Sequence, residues 1–164
     1  MTKVEIVAEA GIPQILITRA FAAPPELLFR AHTEPALLGQ WLGPAGLELT
    51  VDHLEPRHGG RWRYTQTDAR GERYSFHGIY HGTPTPERIV QTYEFDRQPG
   101  VVYLNTITFE AHGDRTVLRQ NTVFPSVADR DAYVQGGMER GVLASMAQLD
   151  ALLGRLQSPT PERS

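Results

Sequence analysis

Six histidines, six tyrosines and two tryptophans supply most of the chemistry available to this chain, and their spacing limits what it can be. His77 and His81 fall four apart on one face of an expected strand, and His53 and His58 flank a Gly59-Gly60 turn. Metal sites need three or four converging ligands with supporting partners. Here there is no His-x-x-x-His on a helix and no cysteine, so neither a metal nor a cofactor is expected. His53, His77 and His81 are candidate general bases, since a neutral imidazole titrates near physiological pH. No catalytic residue is assigned. Gly59-Gly60 leads into a strand rather than a helix and cradles no phosphate, and Ser145 lacks the glycine pattern of a nucleophile elbow. The aromatic residues carry a clearer pattern. Trp62 and Tyr64 share one strand face, and Tyr74, Phe76, Gly78 and Tyr80 share a face of the next. Such side chains join a large apolar area to a polar tip, which suits a small-molecule pocket and equally suits a packed core. Arg61 and Arg63 face the other way as solubilising charge. A register slip of one residue would turn them inward, toward an anionic ligand.

Elements of a particular kind must position these groups. The chain has 164 residues and reads as one domain over residues 1–156, large enough to bury ~70% of its unfolded surface, followed by a disordered tail at 157–164. The net charge of −3 gives no basic stripe, against nucleic acid as a partner. No apolar run approaches the ~20 residues of a membrane span. The absence of cysteine and of a signal peptide fits a cytoplasmic protein.

A first strand at 14–21 ends at Pro24-Pro25, and two short helices follow, from Pro25 to residue 30 or 31 and at 36–41. From Leu47 onward the pattern has period two, with Leu47, Leu49 and Val51 alternating with polar residues. Turns at 55–60, 68–71, 84–86, 98–100 and 112–114 separate six strands with no helix between them. That order requires an antiparallel meander. Gly78, in mid-strand, predicts a bulge or bend.

Ser126 followed by Asp129 opens a helix with a capping-box-like start. Val134, Met138, Val142, Met146, Leu149, Leu153 and Leu156 then step by three or four, placing one apolar face on a helix about 30 residues long. Gly136, Gly137 and Gly141 interrupt it, each costing roughly 1 kcal/mol relative to Ala. They mark a kink, close packing of helix on sheet, or room for a ligand beneath the helix. An α+β fold follows, with a curved antiparallel sheet of about seven strands around a long C-terminal helix.

The stretches 23–31, 41–44, 59–64, 76–80, 86–95 and 137–141, in this order, resemble the START-like (helix-grip, SRPBCC) superfamily. Within it the chain is similar to the group called activator of heat shock protein 90 ATPase homologue-like. The resemblance implies a cavity between sheet and helix. Strand parity then nominates Trp41, Trp62, Tyr64, Phe76, Tyr80 and Tyr93 as its wall, with Gly137, Met138, Gly141, Val142 and Met146 from the helix. The implied function is binding of a small, largely apolar molecule. A cyclase- or aromatase-like enzyme would use the same cavity, with His53, His77, Tyr64 or Tyr93 projecting into it. A co-chaperone-like module would instead dock by an exposed apolar patch, which could also form a homodimer. The chain shows no counterpart of the separate N-terminal domain of eukaryotic activators, so chaperone stimulation does not follow from the resemblance.

Overall fold

The computed structural model describes residues 3–44 and 46–158. Two short strands and helices lead in: β1 (Glu5–Val7), β2 (Gln14–Phe21), α1 (Pro25–Thr33) and α2 (Pro35–Leu38). Six strands follow, β3 (Glu48–Leu54), β4 (Arg61–Thr67), β5 (Arg73–Ile79), β6 (Arg88–Phe95), β7 (Val102–His112) and β8 (Arg115–Val123). Two helices close the chain, α3 (Val127–Gln135) and α4 (Met138–Gln157). All strands join one antiparallel sheet in the order β1-β2-β8-β7-β6-β5-β4-β3. The sheet therefore has eight strands rather than about seven. β1 escapes sequence detection because three residues are too few to show a period, and it is defined by pairing with β2, Glu5 to Thr18, Ile6 to Ile17 and Val7 to Leu16.

Period two holds where it was expected. Trp62 and Tyr64 are buried while Arg61 is exposed, and Arg63 pairs with Asp96 on the outer face. No register slip turns the arginines inward. The bend, however, lies elsewhere than expected. The bulge is in β3, between Val51 and His53. Gly78 instead permits a close approach of strands: a Cβ there would lie 1.9 Å from the Thr92 carbonyl oxygen. That carbonyl reaches across and accepts a 3.1 Å hydrogen bond from the Trp62 indole N–H.

The long helix is not continuous. Ser126 caps α3 as its spacing predicts, accepting from the Asp129 N–H at 3.1 Å. The chain then breaks at Gly136-Gly137, where Gly137 takes φ 94°, a left-handed conformation that interrupts helical hydrogen bonding. α4 runs along the sheet, and α3 packs beside it with the Tyr133 ring 5.7 Å from that of Tyr103 on β7. The buried stripe of α4 is Met138, Ser145, Met146, Leu149, Leu152 and Leu153, whereas Val134 and Leu156 are exposed. Leu149, Leu152 and Leu153 pack in one cluster with Phe21, Leu28, Ala31 and Leu118. This tight end anchors α4, and each such aliphatic side chain contributes roughly 1.5–3 kcal/mol through burial. Gln157 is still helical, and its amide donates to the Ala22 carbonyl at 2.9 Å. Ser158 caps the helix, its hydroxyl donating to the Gly154 carbonyl at 2.8 Å, and residues 159–164 of the expected tail lie outside the described residues. Among the described residues no helix is long and apolar enough to cross a membrane.

Candidate functional site

Anchoring α4 at its C-terminal end leaves its N-terminal half spanning the sheet, and a cavity of about 510 Å³ lies beneath it. Met138, Val142 and Met146 form the roof together with Gly137 and Gly141. A Cβ at Gly137 would meet nothing within 4 Å, and one at Gly141 only the Pro44 Cγ at 4.0 Å. Close helix–sheet contact is therefore not what these glycines serve. They border open space.

The aromatic wall comes from β4, β5 with Tyr80 just beyond its end, and β6. Trp62, Tyr64, Phe76, Tyr80 and Tyr93 all line the cavity. Trp62 stacks on Tyr64 at 5.3 Å between ring centroids, and Phe76 lies 5.4 Å from Tyr64. The Tyr64 and Tyr93 hydroxyls share a 2.5 Å hydrogen bond. Burial raises the pKa of both phenols, and of Tyr80, so all three are neutral at physiological pH.

Trp41 closes a third side. Its indole N–H donates to the Ala31 carbonyl at 2.9 Å. The turn that follows is clamped to α4: the Ser145 hydroxyl accepts from the Gly43 N–H at 3.0 Å and donates to the Gly43 carbonyl at 3.1 Å. The Gln148 amide adds bonds to the Trp41 and Gly43 carbonyls. Each helix-facing polar group thus holds a wall in place and leaves the apolar surface to the interior. Ala132, Tyr133, Gly136 and Gly137 of the α3–α4 corner are exposed lining residues, as are Pro44 and Gln98, and there the cavity meets solvent.

The structure brings all the nominated wall residues around this one cavity and leaves the candidate general bases outside it. His53, His58 and His81 are exposed. His77 sits on the outer face, its Nδ1 2.7 Å from Asp96 Oδ1. Of the groups named for a cyclase-like enzyme, Tyr64 and Tyr93 alone reach the interior. No cluster of metal-ligating side chains occurs among the described residues. Exposed Leu104 and Val123 face each other across β7 and β8 on the outer surface.

Other lining residues were not singled out from sequence. His32 borders the cavity from α1, its ring against Trp41 and Phe109 at 4.8 and 5.1 Å. Its Nδ1 lies 2.7 Å from the Leu28 carbonyl, one helical turn back, and burial lowers its pKa to about 4. The ring is thus neutral, with Nδ1–H as donor. Gln66, Gln91, Asn105, Gln120 and Thr122 also face inward. The available signal was an interruption of parity: Asn105 breaks an inward face otherwise made of Tyr103, Ile107 and Phe109, as Gln66 does after Trp62 and Tyr64.

An eight-stranded antiparallel sheet, two short helices after β2 and a long helix laid over a cavity define an α+β protein of the helix-grip kind. The chain belongs to the Activator of Hsp90 ATPase homolog 1-like protein family, whose model matches residues 22–154. It is similar to a solved Rhodobacter sphaeroides protein at 27% identity, covering 94% of this chain and 100% of that one with a TM-score of 0.85. Protein CV1439 from Chromobacterium violaceum is 29% identical over 86% of this chain and 96% of its own, with a TM-score of 0.77. The AHSA1 protein from Silicibacter pomeroyi is 25% identical over 88% and 99%, with a TM-score of 0.73. Comparison with curated proteins gives no match.

Proposed function

We propose that this protein binds a small, largely apolar molecule between the sheet and α4. The observation that carries the reading is the cavity itself. Its volume of about 510 Å³ falls within the range of ligand pockets. Its wall joins aromatic faces to a few neutral polar groups, the composition that holds and orients a small molecule. A cytoplasmic setting accompanies the reading, since a cysteine-free chain requires no oxidising compartment.

Native mass spectrometry of freshly purified protein should find a retained small molecule, and its release should follow mild organic extraction. Protein that carries nothing and gains no thermal stability from any apolar compound would sink the proposal.

Gly141 supplies a test within the fold. It lies in a regular helix with open space at its Cβ position. Gly141→Leu should fold at least as stably as the wild type, with up to ~1 kcal/mol from helix propensity. The new side chain enters the cavity, so binding of an apolar probe should weaken about tenfold or more. A fall in melting midpoint with probe binding intact is the opposite result. Gly137 does not serve the same purpose, because at φ 94° any added side chain is strained. Gly137→Leu should lose about 1–2 kcal/mol in a urea titration, whatever space is open to it.

A further inference from the structure

The cavity floor carries one row of uncharged polar side chains through its apolar surface. Gln91 on β6 pairs with Asn105 on β7, and Asn105 pairs with Thr122 on β8. All three line the cavity, with Asn105 7% and Thr122 6% exposed. The Thr122 hydroxyl donates to Asn105 Oδ1 at 2.7 Å. This bond fixes the amide. Nδ2, with its two N–H groups, makes no hydrogen bond to any described residue and is left as a donor at the cavity surface. A second buried amide, Gln66, lines the β4 wall and is likewise unbonded to described side chains or backbone.

Positive charge is absent from the same surface. Among the described residues no Lys or Arg lines the cavity, and the one carboxylate in the lining is that of Asp129 at the α3 rim. Arg19, on the inner face of β2, lies outside the lining. Its Nη1 donates to the Met146 carbonyl at 2.7 Å, Asp150 lies 3.6 Å away and the guanidinium sits over the Phe21 ring, while Nε is buried without a partner among the described residues. An entering anion would shed its hydration, meet no counter-charge in the described lining and pass Asp129 on the way. An unpaired ion in such a site costs far more than apolar contact returns. A neutral acceptor gives up a bond to water and regains one from the protein.

Building on the ligand-binding reading, we infer that the bound molecule is uncharged and presents a hydrogen-bond acceptor, such as a ketone, ester or amide carbonyl, to Asn105 Nδ2. Carboxylates, sulfonates and phosphates are excluded.

Two dyes with one ring skeleton test the exclusion on the full chain at neutral pH: uncharged N-phenyl-1-naphthylamine and anionic 8-anilinonaphthalene-1-sulfonate. The neutral dye should bind at least about tenfold tighter in a fluorescence titration. Equal or tighter binding of the sulfonate overturns the charge exclusion while leaving ligand binding intact. Failure of folded protein to bind any dye removes both. The carbonyl anchor is read with a third probe, the neutral ketone 6-propionyl-2-dimethylaminonaphthalene. In Asn105→Leu the ratio of ketone to amine-dye affinity should fall about fivefold, the worth of one hydrogen bond. An unchanged ratio overturns the anchor. If that variant does not fold, Asn105→Ser keeps polarity but draws the donor back, and the same ratio is measured.

Discussion

Gly78→Ala is expected to lower the thermal midpoint by about 10 °C, through a stability loss of roughly 3–5 kcal/mol. The new methyl group would sit 1.9 Å from the Thr92 carbonyl oxygen and 2.6 Å from the Trp62 indole nitrogen. The first of these is backbone and cannot swing aside. β5 and β6 must separate, and their register is paired at just Phe76–Phe95 and His77–Glu94, with a Tyr80–Gln91 bridge beyond. Separation also removes the bond from Trp62 to Thr92 and the 2.9 Å bond from the Ile79 N–H to the Thr92 hydroxyl. Leaving the indole donor unpaired near the core adds about 1–3 kcal/mol to the overpacking cost. A domain of this kind has roughly 5–15 kcal/mol in total, so the loss is a large share. Calorimetry of the purified variant decides the matter, and a midpoint within two or so degrees of the wild type would refute this account of the glycine. Because Trp62 and Tyr80 line the cavity on either side, probe binding should weaken in the same variant.

Acid should destabilise the protein through His32 before most carboxylates are protonated. In the unfolded chain this imidazole takes up a proton near 6.5, whereas burial lowers its pKa to about 4 in the folded state. The unfolded state therefore binds the extra proton over that interval. The contribution is complete above pH 6.5 and is lost progressively as pH falls toward 4. The gap is worth roughly 3 kcal/mol. His32→Leu removes the titrating group while keeping an apolar side chain between Trp41 and Phe109. Urea titrations of both proteins at intervals from pH 7 to pH 4.5 should show the wild type losing stability faster, since carboxylate effects are common to both and cancel in the difference. A difference that stays flat across the series would mean that His32 is solvated or already charged.

These two residues illustrate where sequence reasoning stops. Gly78 announces itself as a mid-strand glycine, and the natural inference is a bulge. Its actual reason, the Thr92 carbonyl beneath it, belongs to a strand fourteen residues later in the chain. His32 lies in a short helix with nothing nearby in sequence to mark it as buried. Its environment is made by Phe109 on β7 and Trp41 beyond α2.

Strand faces, by contrast, were legible. Successive side chains alternate across a pleated strand by covalent geometry alone, so the inward placement of Trp62 and Tyr64 and the outward placement of Arg61 needed no partner. The same holds for the Ser126 cap, for the Met138-to-Leu153 stripe and for the antiparallel meander forced by turns without intervening helices. The sequence by itself thereby determined an α+β sheet-and-helix protein and the inward parity of its aromatic strand residues, but not the polar residues among them. Tertiary structure decided the rest: the eighth strand, the break that separates α3 from α4, the alignment of Gln91, Asn105 and Thr122 into one row, and the open space under Gly141. Alternation and capping are set within a few residues. Register, void and burial are set by which distant segments meet, and at Gly137 one backbone angle of 94° ended a periodicity that the side chains alone would have continued.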